Sequence, residues 1–340
     1  MFTNFVELGI VCTNYCNSGC QFCYSDSLFS NVPVVFGKEE RSRILENAEK
    51  VVQVFSDLGN VSLGITGGEP SLVSYDVYDE MITRMSALNV RRVTFSTNDF
   101  FLNEPYLIWL RERNVDLVIS YDGFIRYRNK KDLVKNIEFV SRFLPIERIY
   151  LHFLVYKFFD VDYVIKLMSE IDWLQFSYSF FIPIGRGRNL DLYFDEQKVL
   201  RFLDAVLSFG YERRFPELMV ILDLVSKVIN DRELQESSYF FGGIWGNCWS
   251  SLRVDLLNGV VMVGDNCVGR VVNLDDLGGT KDLTLKAGIS KIQKMKLDFR
   301  CINCDYWRIC KGGCFLLRER YVCGGLRFIF DFIKKRYYNA

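Results

Sequence analysis

Short apolar runs alternate with amphipathic stretches along the N-terminal part of the chain. Runs rich in Val, Ile, Leu, Phe and Tyr fall at residues 5–11, 61–66, 92–96, 117–120, 149–155 and 174–181. Such runs read as buried strands. Between them, helical spacing of apolar positions covers 38–58, 76–88, 104–113, 131–143, 160–171 and 195–209. In the first of these, Ile44, Ala48, Val51, Val52 and Phe55 make one stripe, with charges on the other side. Repeated strand–helix units predict an α/β fold with parallel strands. An open or closed barrel and a doubly wound sheet both fit that pattern.

The pattern changes further on. Another helical stretch covers 216–229, and residues 239–246 form a Gly- and aromatic-rich loop. Apolar runs at 252–256 and 260–263 flank Asn258-Gly259, a hairpin signal. Residues 326–338 are basic and apolar and predict a helix that packs back on the first unit. No repeat or low-complexity tract is visible.

Composition narrows the chemistry. The 340 residues are 49 % hydrophobic, enough for two domains or one large domain with an extension. The 42 Lys and Arg balance 42 Asp and Glu, which argues against a long-range electrostatic nucleic-acid binder. Apolar stretches are broken well short of a membrane span. The start has no basic region or cleavage pattern, so the expected location is cytoplasmic.

Eleven Cys accompany a single His, His152. Sites built from several histidines are therefore excluded, and thiolates must carry any metal chemistry. Seven of the Cys fall in residues 248–323 and four before residue 248. That shift marks a second unit stapled by metal.

Residues 12–25 read CTNYCNSGCQFCYS, placing Cys16, Cys20 and Cys23 in a C-x3-C-x2-C spacing after the first strand. Three thiolates on one loop suit a four-iron cluster with one iron left open. The alternatives are a zinc knuckle, which usually wants four ligands, or unligated buried Cys. Cys12 reads as a strand residue. Gly67-Gly68-Glu69-Pro70 follows the second strand, Ser96-Thr97-Asn98 the third, and Ser120-Tyr121-Asp122-Gly123 the fourth. Pro183-Ile184-Gly185-Arg186-Gly187 follows the sixth. Ligands in α/β folds gather at these carboxyl ends.

Together these motifs resemble the radical S-adenosylmethionine (SAM) superfamily. The resemblance covers about residues 5–200 and implies a partial (β/α)6 TIM-like barrel, assigned to residues 1–210. It implies a SAM-binding 4Fe-4S cluster on Cys16, Cys20 and Cys23. It further implies S-adenosyl-L-methionine held by Gly67, Gly68, Glu69, Pro70, Thr97, Asn98, Ser120 and Asp122. Arg126 and Arg186 are candidate partners of its carboxylate; the alternative for both is an ordinary surface arginine. Reductive cleavage of SAM would give a 5′-deoxyadenosyl radical that takes a hydrogen atom from the substrate.

Downstream, Cys301-x2-Cys304-x5-Cys310-x3-Cys314-x8-Cys323 resembles the SPASM extension of some radical SAM enzymes. We assign it to residues 247–340, after a helical bridge over 211–246, with the C-terminal helix included. The resemblance implies one or two auxiliary 4Fe-4S clusters. By position, Cys301, Cys304, Cys310 and Cys323 would hold the outer one, and Cys248, Cys314 and Cys267 the inner one. The pattern departs after Gly259, where Gly264 stands in place of the expected Cys and Cys267 comes three residues later. The inner cluster would then have an open iron, a ligand such as Asp265 or the substrate; otherwise it would be smaller or absent. Asp265 is also a candidate general base, against the alternative of a solvated turn residue. Zinc ribbon ligation is the alternative for the whole array.

The function expected from the resemblance is a peptide-modifying radical SAM enzyme, maturing a ribosomally made peptide by a thioether or carbon–carbon crosslink or a related oxidation. The rivals are an anaerobic sulfatase maturase forming formylglycine, a cofactor-assembly enzyme acting on a small molecule, and a non-enzymatic zinc or iron–sulfur scaffold. Expected partners are a peptide substrate and an electron donor such as flavodoxin or ferredoxin. With no domain expected before strand one, leader recognition would fall to a separate protein or a strand edge. No nucleic acid or membrane partner is expected.

Overall fold

A computed structural model describes residues 5–23, 28–56, 60–98, 102–121, 130–181, 185–230, 251–263, 270–277, 304, 306 and 327–338. Six parallel strands make the centre: β1 (Phe5–Val11), β4 (Asn60–Thr66), β5 (Val90–Thr97), β6 (Val115–Tyr121), β7 (Ile149–Val155) and β8 (Gln175–Phe180). Short strands β2 (Tyr15–Cys16) and β3 (Leu28–Phe29) pair separately. The connecting helices are α1 (Lys38–Phe55), α2 (Tyr75–Arg84), α3 (Glu104–Glu112), α4 (Lys130–Ser141), α5 (Val161–Glu170) and α6 (Glu196–Ser208).

In the sheet, the six strands lie in chain order from β1 to β8. A doubly wound sheet would reverse direction at a switch point. The absence of a reversal decides for the barrel-type winding, in agreement with the expected partial barrel. On the other side of β1 the sheet continues through β9 (Ser251–Asp255), parallel to it, and then β10 (Val260–Val263) and β11 (Arg270–Asn273), both antiparallel to their neighbours. The expected hairpin at Asn258-Gly259 joins β9 and β10, and its Asp255 carboxylate accepts the main-chain N–H groups of Leu257 and Asn258, both at 3.0 Å. The barrel sheet thus runs on across the boundary expected near residue 247.

Alternation along the strands separates two faces. Leu117, Ile119 and Tyr121 on β6 and Leu151 and Phe153 on β7 are buried. Phe95 on the same face of β5 meets Tyr78 of α2 and Tyr106 and Trp109 of α3. This is the helix-covered face, and α1 adds Ile44, Ala48, Val51 and Phe55 to it, all fully buried. Fully burying a side chain such as Ile44, Val51 or Phe55 contributes about 1.5–3 kcal/mol, and Ala48 less. The other face carries half-buried Asp116, Val118, Ser120, Tyr150, His152, Ser177 and Ser179. His152 lies between Ser177 and Ser179, its Nδ1 2.8 Å from one hydroxyl and its Nε2 3.0 Å from the other.

Local chemistry fixes the helix ends. Asn103, Asp160 and Asp195 accept first-turn N–H groups of α3, α5 and α6, as N-caps do. Arg214 closes the far end of α5 by donating to the carbonyls of Met168 at 2.6 Å, Leu174 at 2.9 Å and Ile171. Its guanidinium lies over Phe176, and burial lowers its pKa to about 10.

Two further helices complete the described chain: α7 (Pro216–Ile229) and, as expected, a C-terminal helix α8 (Arg327–Tyr338). Arg336 of α8 pairs with Asp204 and donates to Ser208 of α6 at 2.9 Å. Tyr306 packs on Phe330 and donates to Asp331 of α8 at 3.0 Å. No helix among the described residues is long and apolar enough to cross a membrane.

Candidate functional site

The cysteine loop leaves the carboxyl end of β1 and is held from three sides. Leu28 and Ser30 donate to the Asn14 and Cys16 carbonyls at 2.8 and 2.9 Å. Gly68 and Glu69 donate to the carbonyls of Thr13 at 2.9 Å and Tyr15 at 2.7 Å. Arg186 donates its main-chain N–H to the Cys23 carbonyl at 2.9 Å.

The glycines are explained by this docking. Gly67 has φ +129°, and a β-carbon there would stand 2.7 Å from the Thr13 carbonyl oxygen. At Gly68 it would stand 2.1 Å from the Tyr15 oxygen. At Gly187 it would meet the Phe181 ring at 2.9 Å and the Phe22 backbone at 3.3 Å. The close approach is to the cysteine loop, on both of its flanks.

Cys16 and Cys20 are 7 % and 3 % exposed, and Cys23 is half-buried. The Ser18 N–H donates to Cys16 Sγ at 3.3 Å, and Asn98 Nδ2 lies 3.9 Å from the same sulfur. Asn98 also donates to Asn17 Oδ1 at 2.6 Å and Ser18 Oγ at 2.9 Å. Cys12 is set apart: it is fully buried and donates to Met81 Sδ at 3.8 Å. Burial, then the Asp255 charge, push its thiol far above the ordinary value, so it stays protonated. The expected strand assignment misses by one residue: β1 ends at Val11 and Cys12 is the first residue after it, buried in the core.

Glu69 is only 2 % exposed. Its Oε1 accepts from Ser71 N at 3.0 Å and from the Ser71 and Thr97 hydroxyls, both at 2.5 Å. Its Oε2 accepts the Asn98 N–H at 2.7 Å. The carboxylate therefore ties the end of β4 to the end of β5. Below it, Tyr78 donates to the Pro70 carbonyl at 3.1 Å and Tyr106 to that of Val73 at 3.2 Å. Both phenols stay protonated, since burial raises them well above the ordinary tyrosine value.

The expected residues Cys16, Cys20, Cys23, Gly67, Gly68, Glu69, Pro70, Thr97 and Asn98 thus gather at the carboxyl ends of β1, β4 and β5. Ser120 lies at the end of β6, opposite His152 in register. Arg186 reaches the loop through its main chain, while its side chain is exposed. Cys304 is half-buried, two residues from Tyr306, which packs against α8. Asp122, Arg126, Cys248, Asp265, Cys267, Cys301, Cys310, Cys314 and Cys323 lie outside the described residues. Sequence reasoning missed Ser71, Tyr78, Tyr106 and the Asn98 contacts to Asn17 and Ser18. The nearest signal was Ser71 following Glu69-Pro70.

Residues 10–130 match the sequence profile of the Radical SAM superfamily. This chain carries a radical SAM domain. That superfamily implies S-adenosyl-L-methionine and a 4Fe-4S cluster. A cysteine-type anaerobic sulfatase-maturating enzyme of Clostridium perfringens is 25 % identical, over 96 % of this chain and 95 % of that protein. Among solved structures, native anSMEcpe with bound AdoMet and Cp18Cys peptide superposes with a TM-score of 0.68 at 17 % identity, covering 97 % of this chain and 96 % of that one. Streptococcus suis SuiB bound to precursor peptide SuiA gives 0.60 at 18 % identity, covering 95 % and 74 %. These superpositions bear out the expected barrel-like α/β core.

The radical SAM donor set fits a cluster chemically. Three thiols share one loop, and N–H groups directed at Cys16 Sγ suit an anionic sulfur. Among the described residues no group of three His, Cys, Asp or Glu converges on a single-ion site. Thiolates on a cubane bind separate irons, so they need no such convergence.

Proposed function

We propose that this radical SAM enzyme acts on a side chain of a peptide or protein. Cys16, Cys20 and Cys23 would hold the cluster, leaving one iron for S-adenosyl-L-methionine. Bound there, the pair supplies reductive cleavage to a 5′-deoxyadenosyl radical, which takes a hydrogen atom from the substrate. The backbone of Gly67 and Gly68, pinned to the loop, would present carbonyls to the SAM ammonium. Ser120 and Asp122 would orient its ribose and methionine groups, and Arg126 or Arg186 its carboxylate. The observation that carries the SAM reading is the docking of the Gly67-Gly68 turn onto the cysteine loop by two main-chain hydrogen bonds.

Peptide-level action is supported by relatives matched over nearly the whole chain, one named as maturating a sulfatase and one solved with a precursor peptide. Two outcomes follow: a crosslink or related oxidation in a ribosomal peptide, or oxidation of a sulfatase cysteine. The full-length similarity to the cysteine-type maturating enzyme favours the second as strongly as the cysteine array favours the first. In either case Cys301, Cys304, Cys310 and Cys323, with Cys248, Cys314 and Cys267, would hold one or two auxiliary clusters. These would take the electron that a substrate radical must lose, and Asp265 would accept its proton. A small donor such as flavodoxin or ferredoxin would reduce the enzyme in the cytoplasm.

The test offers reconstituted enzyme a cysteine-bearing sulfatase peptide and, separately, candidate precursor peptides, with mass spectrometry as readout. An aldehyde in the first selects sulfatase maturation, and a crosslink mass loss in the second selects peptide maturation. SAM cleavage with neither peptide altered would overturn the peptide reading. Cys310→Ala is expected to spare SAM cleavage and stop substrate turnover.

A further inference from the structure

Asn98 stands at the end of β5 with its main chain and side chain engaged in opposite directions. Its N–H is held by the buried Glu69 carboxylate at 2.7 Å. Its amide reaches across the strand ends to Asn17 Oδ1 at 2.6 Å and Ser18 Oγ at 2.9 Å. Those two residues form the turn directly after Cys16. Within that turn the Ser18 N–H points at Cys16 Sγ, 3.3 Å away, and Asn98 Nδ2 itself is 3.9 Å from that sulfur. Asn98 is 2 % exposed, and its contacts to Asn17 and Ser18 are partly buried, which limits competition from water.

We propose that Asn98 is a positioning residue that sets the reduction potential of a cluster bound at Cys16, by fixing the 17–18 turn so that N–H donors face the Cys16 sulfur. The inference rests on the assignment of Cys16, Cys20 and Cys23 as cluster ligands. Its physical basis is charge. A reduced cluster carries one more negative charge, shared with its thiolate sulfurs. N–H groups directed at a ligand sulfur stabilise the reduced form more than the oxidised form and raise the potential. A main-chain donor is effective only when its turn is held rigidly. The Glu69–Asn98–Asn17 chain supplies that rigidity with hydrogen bonds that are all buried or partly buried. The GGEP and TN segments thereby serve the cysteine loop itself.

The test compares parent, Asn98→Ala and Asn98→Asp after anaerobic reconstitution, by redox titration followed by electron paramagnetic resonance. The signal that shifts on addition of SAM identifies the Cys16-loop cluster, whose midpoint is then measured without SAM. Both variants are expected to hold parent levels of iron and sulfide and to have a lower midpoint. A reduced fraction about tenfold smaller at a fixed poise corresponds to about 59 mV for one electron. An unchanged midpoint with a full cluster overturns the proposal. If neither variant assembles a cluster, the parent decides: heavy-nitrogen-labelled serine should show a hyperfine coupling from the Ser18 main chain to the reduced cluster. Absence of that coupling also overturns the proposal. A parent that binds no iron at all would instead sink the assignment of the cysteine loop.

Discussion

Gly68 lies so close to Tyr15 that a β-carbon at position 68 would stand 2.1 Å from the Tyr15 carbonyl oxygen. Real β-carbons do not approach oxygen so closely, and the obstacle is backbone, which cannot rotate away. Gly68→Ala should therefore push the turn after β4 off the cysteine loop and break the Gly68–Thr13 and Glu69–Tyr15 hydrogen bonds. We expect a chain that keeps its helical content, since the helix-covered core lies elsewhere, but binds far less iron than the parent. Circular dichroism with iron analysis checks this. Parent-level iron in Gly68→Ala would show that the docking is dispensable.

Cys12 lies four residues before Cys16, in contact with Met81. Alkylation needs thiolate, and Cys12 is fully buried with its thiol raised by burial and by Asp255. The raised pKa keeps Cys12 protonated as pH climbs through the ordinary cysteine range near ~8.5. Its labelling by iodoacetamide in the folded chain should therefore not rise over that range. Denaturation should expose it at once. Peptide mapping after labelling at several pH values checks both statements, and a Cys12 labelling rate that climbs with pH like that of a free thiol would contradict the burial.

Tyr78 and Tyr106 each hand one hydroxyl hydrogen to the segment after the GGEP turn. Phenylalanine at either position keeps the ring packing against Phe95 and Trp109 and leaves a buried carbonyl without that donor. Tyr106→Phe should cost about 1–3 kcal/mol, the range for an orphaned buried polar group, and Tyr78→Phe about 0.5–1.5 kcal/mol, because the Val73 N–H also reaches the Pro70 carbonyl at 3.0 Å. Denaturant midpoints measured at matched cluster content check the size. No loss in either variant would mean that the two carbonyls find other donors.

The cysteine loop, GGEP, and the Thr97-Asn98 end of β5 were legible in the sequence because each is a local signal, and local signals sit where strand ends place them. Strand order was not legible. Periodicity says which face a residue takes, whereas neighbour order depends on pairing across the sheet, so the pattern alone left the barrel and the doubly wound sheet level; the motif resemblance chose the barrel, and the chain order of β1 to β8 agrees. The addition of β9 to the open side of β1 is equally non-local. The resemblance places Gly67 and Gly68 against SAM, and in the structure both also stand in close contact with the cysteine loop. The resemblance also places Glu69 against SAM, and its described partners are Ser71, Thr97 and Asn98. In both cases the motif named the place, and the partner came from a strand far away in sequence.

The measurement that tests the central claim most directly is reductant-dependent release of 5′-deoxyadenosine from SAM by the anaerobically reconstituted chain, with Cys16→Ala beside it and metal content determined on both. The parent should bind iron and sulfide and release 5′-deoxyadenosine only when reductant is present. Cys16→Ala should release none. Zinc in place of iron, with no release from the fully reduced parent, would contradict the radical mechanism and leave a metal-stapled α/β scaffold.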